Sequence, residues 1–384
     1  MSSRQRLMMR LVKNFVAILV ITISLFLVCD FILSHIGVNP YDLLKRYPDT
    51  MVSGIAHPVY HHDLKPNLDK IEAWGPLKYR LCTNPYGFKV SCNNVRETRK
   101  DFDIAFMGDS FTESVGTIYE ESFVGLYAQK HPDIAVANFG VRAYSPSIYF
   151  KKIEFLLNNG FTFNHLIVLP DISDIRDEAI LYTIDGKIGS IVDNIEHIAF
   201  EESINEYEIE NKIINSFHKM LAKHFKFTWF INCSIYDYYN DDGTGEKIIK
   251  GVADSTISRW TRDIDSPHYG KEGVLGGIRK NLEYMRRLKQ LLDKHNIKMT
   301  VVVYPWPAQL FFEDRDHLGM QIWKDFCIKE GCYNFIDANP FFFDEIQKSS
   351  KMEVIKKYYI HGDVHFNTEG NKAMFAVIDN SFQR

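Results

Sequence analysis

Five short apolar runs, at residues 104–107, 134–137, 166–169, 299–304 and 335–336, constrain this chain more than any other feature. They are too short for helices and do not alternate with polar residues, the pattern of strands buried on both faces of a parallel sheet. Amphipathic stretches separate them. Ser145 reads as an N-cap and Pro146 as a first helical residue, after which Tyr149, Ile153 and Leu156 or Leu157 share a face until Gly160. Ile278, Leu282, Met285, Leu288 and Leu292 make a second such face. Alternation of this kind predicts an α/β fold, a three-layer α/β/α sandwich.

The N-terminus is of another kind. Arg4, Arg6, Arg10 and Lys13 precede a long apolar stretch, and no acidic residue occurs before Asp30. Roughly twenty apolar residues cross a bilayer, and a basic flank marks the cytoplasmic side. The expectation is a single-pass anchor with its N-terminus in the cytoplasm and everything after about residue 38 extracytoplasmic, periplasmic or at the cell surface. A cleaved signal peptide fits less well, because the run is long and no small-residue cleavage site follows it. Asp30 is the irregularity in this segment. The domain reading is then residues 1–38 as cytoplasmic terminus and transmembrane helix, 39–100 as a loop-rich lead-in, and 101–384 as the main domain with an insertion at about 178–275.

Composition narrows the partners. With 384 residues, 46% of them hydrophobic, the chain can bury a large core, and a net charge of −4 supplies no basic field for nucleic acid. Six cysteines suit an exported domain, and the pairs Cys82/Cys92 and Cys327/Cys332 are close enough in sequence for local disulfides. His57, His61 and His62 have no Cys or carboxylate at a ligand spacing, so neither a metal nor a cofactor is called for. Tyr236, Tyr238, Tyr239 and Trp260 of the insertion suit stacking on sugar rings, though packing within their own domain is the commoner use of such residues.

The chemistry gathers where the strands end. The run 104–107 breaks at Gly108 and is followed by Asp109 and Ser110, so the serine stands at a strand end where a helix starts, the place where open α/β sheets put ligands. The second run leads to Gly140, whose missing side chain lets a backbone N–H approach a ligand. After the third come Asp171, Ser173 and Asp174, facing the same crevice. A serine needs a base, and the base an orienting acceptor. The C-terminal "HGDVHFNTEGN" holds Asp363 and His365 just before an amphipathic run.

These stretches resemble the SGNH, or GDSL-type, hydrolase superfamily over about residues 100–170 and 297–380. "GDSFTES" resembles its first block, implying Ser110 as nucleophile and backbone oxyanion donor; "NFG" resembles the second, implying Gly140 as a further donor. "ISD" stands where the third block has Gly-x-Asn-Asp, so Ser173 takes the place of the usual asparagine donor. "DVH" resembles the last, implying His365 as base and Asp363 behind it, with Asp109, Asp171 and Asp174 as possible supporting residues. The resemblance implies a flavodoxin-like parallel sheet of about five strands. The two-residue Asp-to-His spacing is similar to that of membrane-associated alginate acetylation proteins. Together with the anchor, it implies an O-acyl, most of all O-acetyl, esterase on an acylated cell-envelope glycan. An O-acetyltransferase using the same triad, and a non-catalytic glycan-binding or assembly protein working with polysaccharide-biosynthesis partners, are the alternatives.

Overall fold

The computed structural model describes residues 3–38, 53–184, 189–193, 220–240 and 245–382. The chain divides into two compact units, residues 1–48 with 201–244 and residues 49–200 with 245–384.

In the first unit, helix α1 runs over Ser3–His35. At 1.5 Å per residue it is about 50 Å long, and it is long and apolar enough to cross a membrane. Phe15, Ile18, Leu25 and Phe31 are exposed along it. Asp30 is accounted for: it is buried and caps the helix Lys226–Asn240, accepting from the backbone N–H groups of Phe227 (2.6 Å) and Thr228 (3.1 Å) and from the Thr228 hydroxyl (2.6 Å). A carboxylate at a helix N-terminus satisfies orphan donors and meets the favourable end of the dipole. Tyr236, Tyr238 and Tyr239 lie in this second helix, with side chains outside the described residues.

The second unit opens with two antiparallel hairpins, β1 (Gly54–His57) with β2 (His61–Leu64) and β3 (Asp69–Trp74) with β4 (Leu77–Cys82). The lead-in is therefore less loop-like than its composition suggests. Along β4, Tyr79 and Leu81 are buried while Lys78 and Arg80 face solvent, the alternation of a half-buried strand. The central sheet follows: β5 (Asp101–Gly108), β6 (Val136–Asn138), β7 (Thr162–Leu169), β10 (Lys298–Val303) and β11 (Asn334–Asp337), with the small hairpin β8 (Tyr182–Ile184) and β9 (Ile191–Asp193) inserted after β7. All five pair in parallel in the order β11-β10-β7-β5-β6. Numbered among themselves they read 2-1-3-4-5, the flavodoxin-like arrangement, and winding reverses between β5 and β7.

Helices cover both faces, giving the three layers. Ala105, Met107, Leu166, Val168, Met299 and Val301 point toward α4 (Pro146–Asn158), α5 (Gly273–Lys294) and α6 (Leu318–Glu330). Their neighbours Phe106, Ile167 and Val302 point the other way, toward α3 (Phe123–Lys130), α7 (Asn339–Lys348) and α8 (Thr368–Phe382). Each such side chain contributes about 1.5–3 kcal/mol when fully buried. Ser145 does precede α4, but its hydroxyl donates to Glu178 Oε1 (2.6 Å), which also accepts from Ser147 N (2.7 Å); the glutamate does the capping.

Charge fastens the lead-in to this core. Lys152 of α4 is fully buried, with Nζ 3.1 Å from Asp63 Oδ1 and 3.1 Å from the Tyr144 hydroxyl, among the rings of Tyr60, Phe88 and Tyr144. Cys82–Cys92 and Cys327–Cys332 are disulfide-bonded. Trp260 is buried and donates to the Ile172 carbonyl (2.9 Å), so it packs the unit instead of offering a sugar platform.

Candidate active site

Ser110 opens α2 (Ser110–Glu113), a single turn folded back over the end of β5. Gly108 is what permits that fold: a Cβ there would lie 2.1 Å from Thr112 Oγ1 and 2.9 Å from the Leu169 carbonyl oxygen. Asp109 caps the turn, its Oδ1 accepting from Phe111 N (3.0 Å). At the other end, the buried Lys89 donates to the carbonyls of Ser114 (2.8 Å) and Thr117 (2.6 Å), and burial lowers its pKa to about 7. Glu113, fully buried, accepts from Arg142 N (2.8 Å) and Nε (3.1 Å) and pairs with its terminal nitrogen; Arg142 reaches on to Glu72 of β3 (3.1 Å). Burial works against ionisation of Glu113, but Arg142 prevails and holds its pKa below the ordinary value.

The loop before α8 brings His365 to Ser110. His365 Nε2 lies 2.7 Å from Ser110 Oγ, and its Nδ1 lies 2.5 Å from Asp363 Oδ1, which also accepts from His365 N (3.0 Å). Ser110 and His365 are 8% and 9% exposed, so the pair sits in a largely dry site that still opens to solvent. Asn371 of α8 ties the same region together, its Oδ1 accepting from the Ser114 hydroxyl (3.0 Å) and Phe123 N (3.1 Å). For Asp363, burial acts to raise the pKa, yet His365 and the hydrogen bonds to the carboxylate outweigh it and bring it to about 2.

The residues read from the sequence as oxyanion donors are placed around this serine with partners of their own. Gly140 N donates to Asn138 Oδ1 (3.0 Å), while Asn138 Nδ2 donates to the Thr112 carbonyl (2.8 Å). Glycine is required at 140 by packing, since a Cβ would fall 2.5 Å from Thr112 Cβ. Ser173 gives both its N–H (2.8 Å) and its hydroxyl (2.7 Å) to Asp171 Oδ1. Asp171 Oδ2 takes the Tyr304 hydroxyl and Trp306 Nε1, each at 2.8 Å. Asp171 thus ties the loop after β7 to the loop after β10. Asp174 accepts from Asp171 N (3.0 Å) and the Tyr149 hydroxyl (3.1 Å). Burial, and after it the neighbouring Asp171, push both Asp109 and Asp174 well above the ordinary carboxyl range.

Four contributors were not legible in the motifs. Trp74, at the tip of the β3–β4 hairpin, donates from Nε1 to Asp363 Oδ2 (2.8 Å) and sets its ring edge-on to His365, centroids 5.0 Å apart. Arg142 lies over that indole, its Cζ 5.5 Å from the ring centroid. Tyr304 and Trp306 complete the Asp171 shell. The Gly75–Pro76 pair signals the hairpin turn, but no local pattern tells that its tip meets a loop 289 residues away.

His61 and His62 are engaged elsewhere: His61 Nε2 meets Asp193 (2.9 Å), His62 Nε2 meets the Arg142 carbonyl (2.8 Å), and the two Nδ1 atoms are 2.7 Å apart. His57 stacks on Tyr60. Among the described residues one cluster places three potential ligand atoms together, Asp69, Cys82 and Cys92, and its two sulfurs are joined in a disulfide.

Neither a family model nor a curated protein matches the sequence. Solved structures similar to it include a catalytic mutant of an acetylxylan esterase from Geobacillus stearothermophilus (10% identity, TM-score 0.38, covering 73% of this chain and 93% of that one). A lipolytic G-D-S-L family protein from Veillonella parvula gives 12% identity and a TM-score of 0.38, covering 73% and 98%. The psychrotrophic esterase EstA from Pseudoalteromonas gives 10% and 0.36, covering 74% and 100%. Likeness at this level assigns nothing, and the chemistry is decided by the chain's own residues.

Trp74→Phe keeps an aromatic ring against His365 and removes the donor to Asp363. A hydrogen bond to a charged group is worth about 1.5–3 kcal/mol, so kcat should fall about tenfold or more with KM little changed. The acid limb of stability should move as well. Asp363 is depressed from 3.8 to about 2 on folding, so its contribution is complete above pH 3.8 and is lost as pH falls through about 2. Without the indole the folded value rises toward 3.8, the contribution shrinks, and acid unfolding begins at higher pH. Denaturation of both proteins across a pH series checks the direction.

Proposed function

We propose that the chain is a serine O-acyl esterase, acting on O-acetyl groups of an extracytoplasmic cell-envelope polysaccharide. The observation that carries the reading is the continuous relay Ser110–His365–Asp363, with contacts of 2.7 and 2.5 Å, at the carboxyl edge of the parallel sheet beside its switch point. Asp363 fixes the imidazole with Nδ1 protonated and Nε2 free to accept. Ser110 Oγ attacks the ester carbonyl as its proton passes to Nε2. His365 returns that proton to the departing sugar oxygen, then activates water to release the acyl group from Ser110. Transfer to a sugar hydroxyl in place of water would use the same acyl-enzyme, and product analysis with and without acceptor glycan separates the two. The polysaccharide and the acetyl group are supported by the Asp-to-His spacing and by the apolar N-terminal helix with its basic flank.

A fluorophosphonate should label Ser110 in folded protein, because a base-activated serine is nucleophilic and an ordinary one is not. Ser110→Ala should abolish both labelling and hydrolysis of a chromogenic acetyl ester. An adduct that persists in that variant, as located by mass spectrometry, would sink the reading.

The topology has its own test. A reporter active only outside the cytoplasm, fused after Arg384, should be active in a protein that stays with membranes. Full-length chain recovered from the soluble cytoplasm would overturn it.

The oxyanion is assigned to the N–H groups of Ser110 and Gly140 with the hydroxyl of Ser173. Loss of one such donor costs about 10²–10³ in kcat in comparable sites. To serve, Gly140 N–H must turn from Asn138 Oδ1 and Ser173 must leave Asp171; the hydroxyl, which can rotate to other acceptors, is the weakest of the three. Ser173→Ala should therefore cost less than about a hundredfold, measured as kcat on one acetyl ester; full kcat retained would remove Ser173 from the set.

A further inference from the structure

The Ser110 hydroxyl has one proton and two neighbours placed to receive it. Its Oγ lies 2.7 Å from His365 Nε2 and 3.0 Å from Asp109 Oδ2. With Nδ1 of His365 directed at Asp363, neutral imidazole carries its proton on Nδ1 and accepts at Nε2. If Ser110 gives its proton to Nε2, only lone pairs of Oγ face Asp109. Two oxygens at that distance with no proton between them repel. An ionised Asp109 would instead draw the hydroxyl proton to its own Oδ2 and leave Nε2 without one.

We propose that Asp109 is held as a neutral carboxylic acid whose O–H donates to Ser110 Oγ, making it a positioning residue that keeps the serine's own proton aimed at His365. The inference rests on the serine esterase reading above.

The surroundings agree. Asp109 is 2% exposed; its Oδ1 takes Phe111 N–H, and among the described contacts its Oδ2 meets Ser110 Oγ alone. From the loop after β7 it faces Asp171, Asp174 and Asp177; from after β10, Tyr304; from α4, Tyr149; from the triad loop, His365. The hydroxyls of Tyr304 and Tyr149 are committed to Asp171 and Asp174. Burial and the charge of Asp171 both disfavour a carboxylate at 109. In the reaction Oγ bonds the carbonyl carbon, the π electron pair moves to the carbonyl oxygen, and the Ser110 proton passes to Nε2. Asp109 keeps its proton throughout.

The test uses full-length protein in detergent. Asp109→Asn retains an acceptor for Phe111 N–H and offers an amide donor to Ser110; Asp109→Ala offers neither. For D109N, kcat/KM should fall no more than about tenfold, and for D109A a further tenfold or more. A D109N protein as impaired as D109A, with both showing the wild-type circular dichroism spectrum, overturns the proposal. An infrared difference spectrum, wild type minus D109N at about pH 7, gives a readout independent of turnover. A protonated-carboxyl band that shifts in D₂O is expected, and a carboxylate band in its place overturns the proposal. If the wild-type protein neither hydrolyses ester nor takes up fluorophosphonate, the esterase reading fails while the infrared result still decides the state of Asp109.

Discussion

The buried pair between Glu113 and Arg142 is the contact on which the site depends. Glu113 ends the one-turn helix that begins with Ser110, and Arg142 follows the chain segment leaving β6, so one ion pair fixes the Ser110 turn to the neighbouring strand end. An isolated single turn has no stability of its own, since nucleation fixes several residues for one hydrogen bond. Here it is held at both ends, by Asp109 at the start and by Lys89 and Glu113 at the finish. The buried guanidinium of Arg142 faces two buried carboxylates, Glu113 and Glu72, and this pairing makes the burial of their charge tolerable.

Those partners come from distant parts of the chain. Glu72, Trp74 and Lys89 belong to the lead-in, and through them the hairpins become part of the site: Trp74 holds Asp363, Glu72 holds Arg142, and Lys89 closes the turn after Ser110. The sandwich supplies the crevice at its switch point, as its strand order dictates. The lead-in supplies the orientation that a relay of three short contacts requires.

The strands and the sandwich were legible because each strand is buried on both faces, and a parallel sheet records this as an unbroken apolar run. That Ser110, Asp363 and His365 would meet was legible because they occupy strand-end and loop positions at one edge of the sheet. The motifs gave the positions of Gly140 and Ser173 but not their partners: whether a hydroxyl faces a ligand or a carboxylate two residues back, as Ser173 faces Asp171, is a matter of rotamer. Trp260 shows the same limit, since an aromatic in a polar insertion reads alike whether it stacks on a ligand or, as here, bonds the Ile172 carbonyl inside the unit. Asp30 shows the reverse. It broke the apolar pattern, and the structure gives it the free N–H groups of another helix, a long-range contact no periodicity encodes.

The carboxylates divide by environment in a way that suits one mechanism. Asp363 meets His365 and the Trp74 N–H, both of which favour its charged form, and its pKa falls to about 2. Asp109 and Asp174 are pushed the other way, first by burial and then by Asp171. Asp171 accepts four donors, from Ser173 twice, Tyr304 and Trp306, and so is the acceptor around which the β7 and β10 loops close. On the proposed esterase reading, a carboxylate behind His365 would stabilise an imidazolium formed as Ser110 attacks, whereas a second negative charge touching the serine would oppose the oxyanion formed at the same moment. The fold keeps the one at 363 charged and makes the one at 109 costly to charge, although both lie within hydrogen-bonding reach of the same relay.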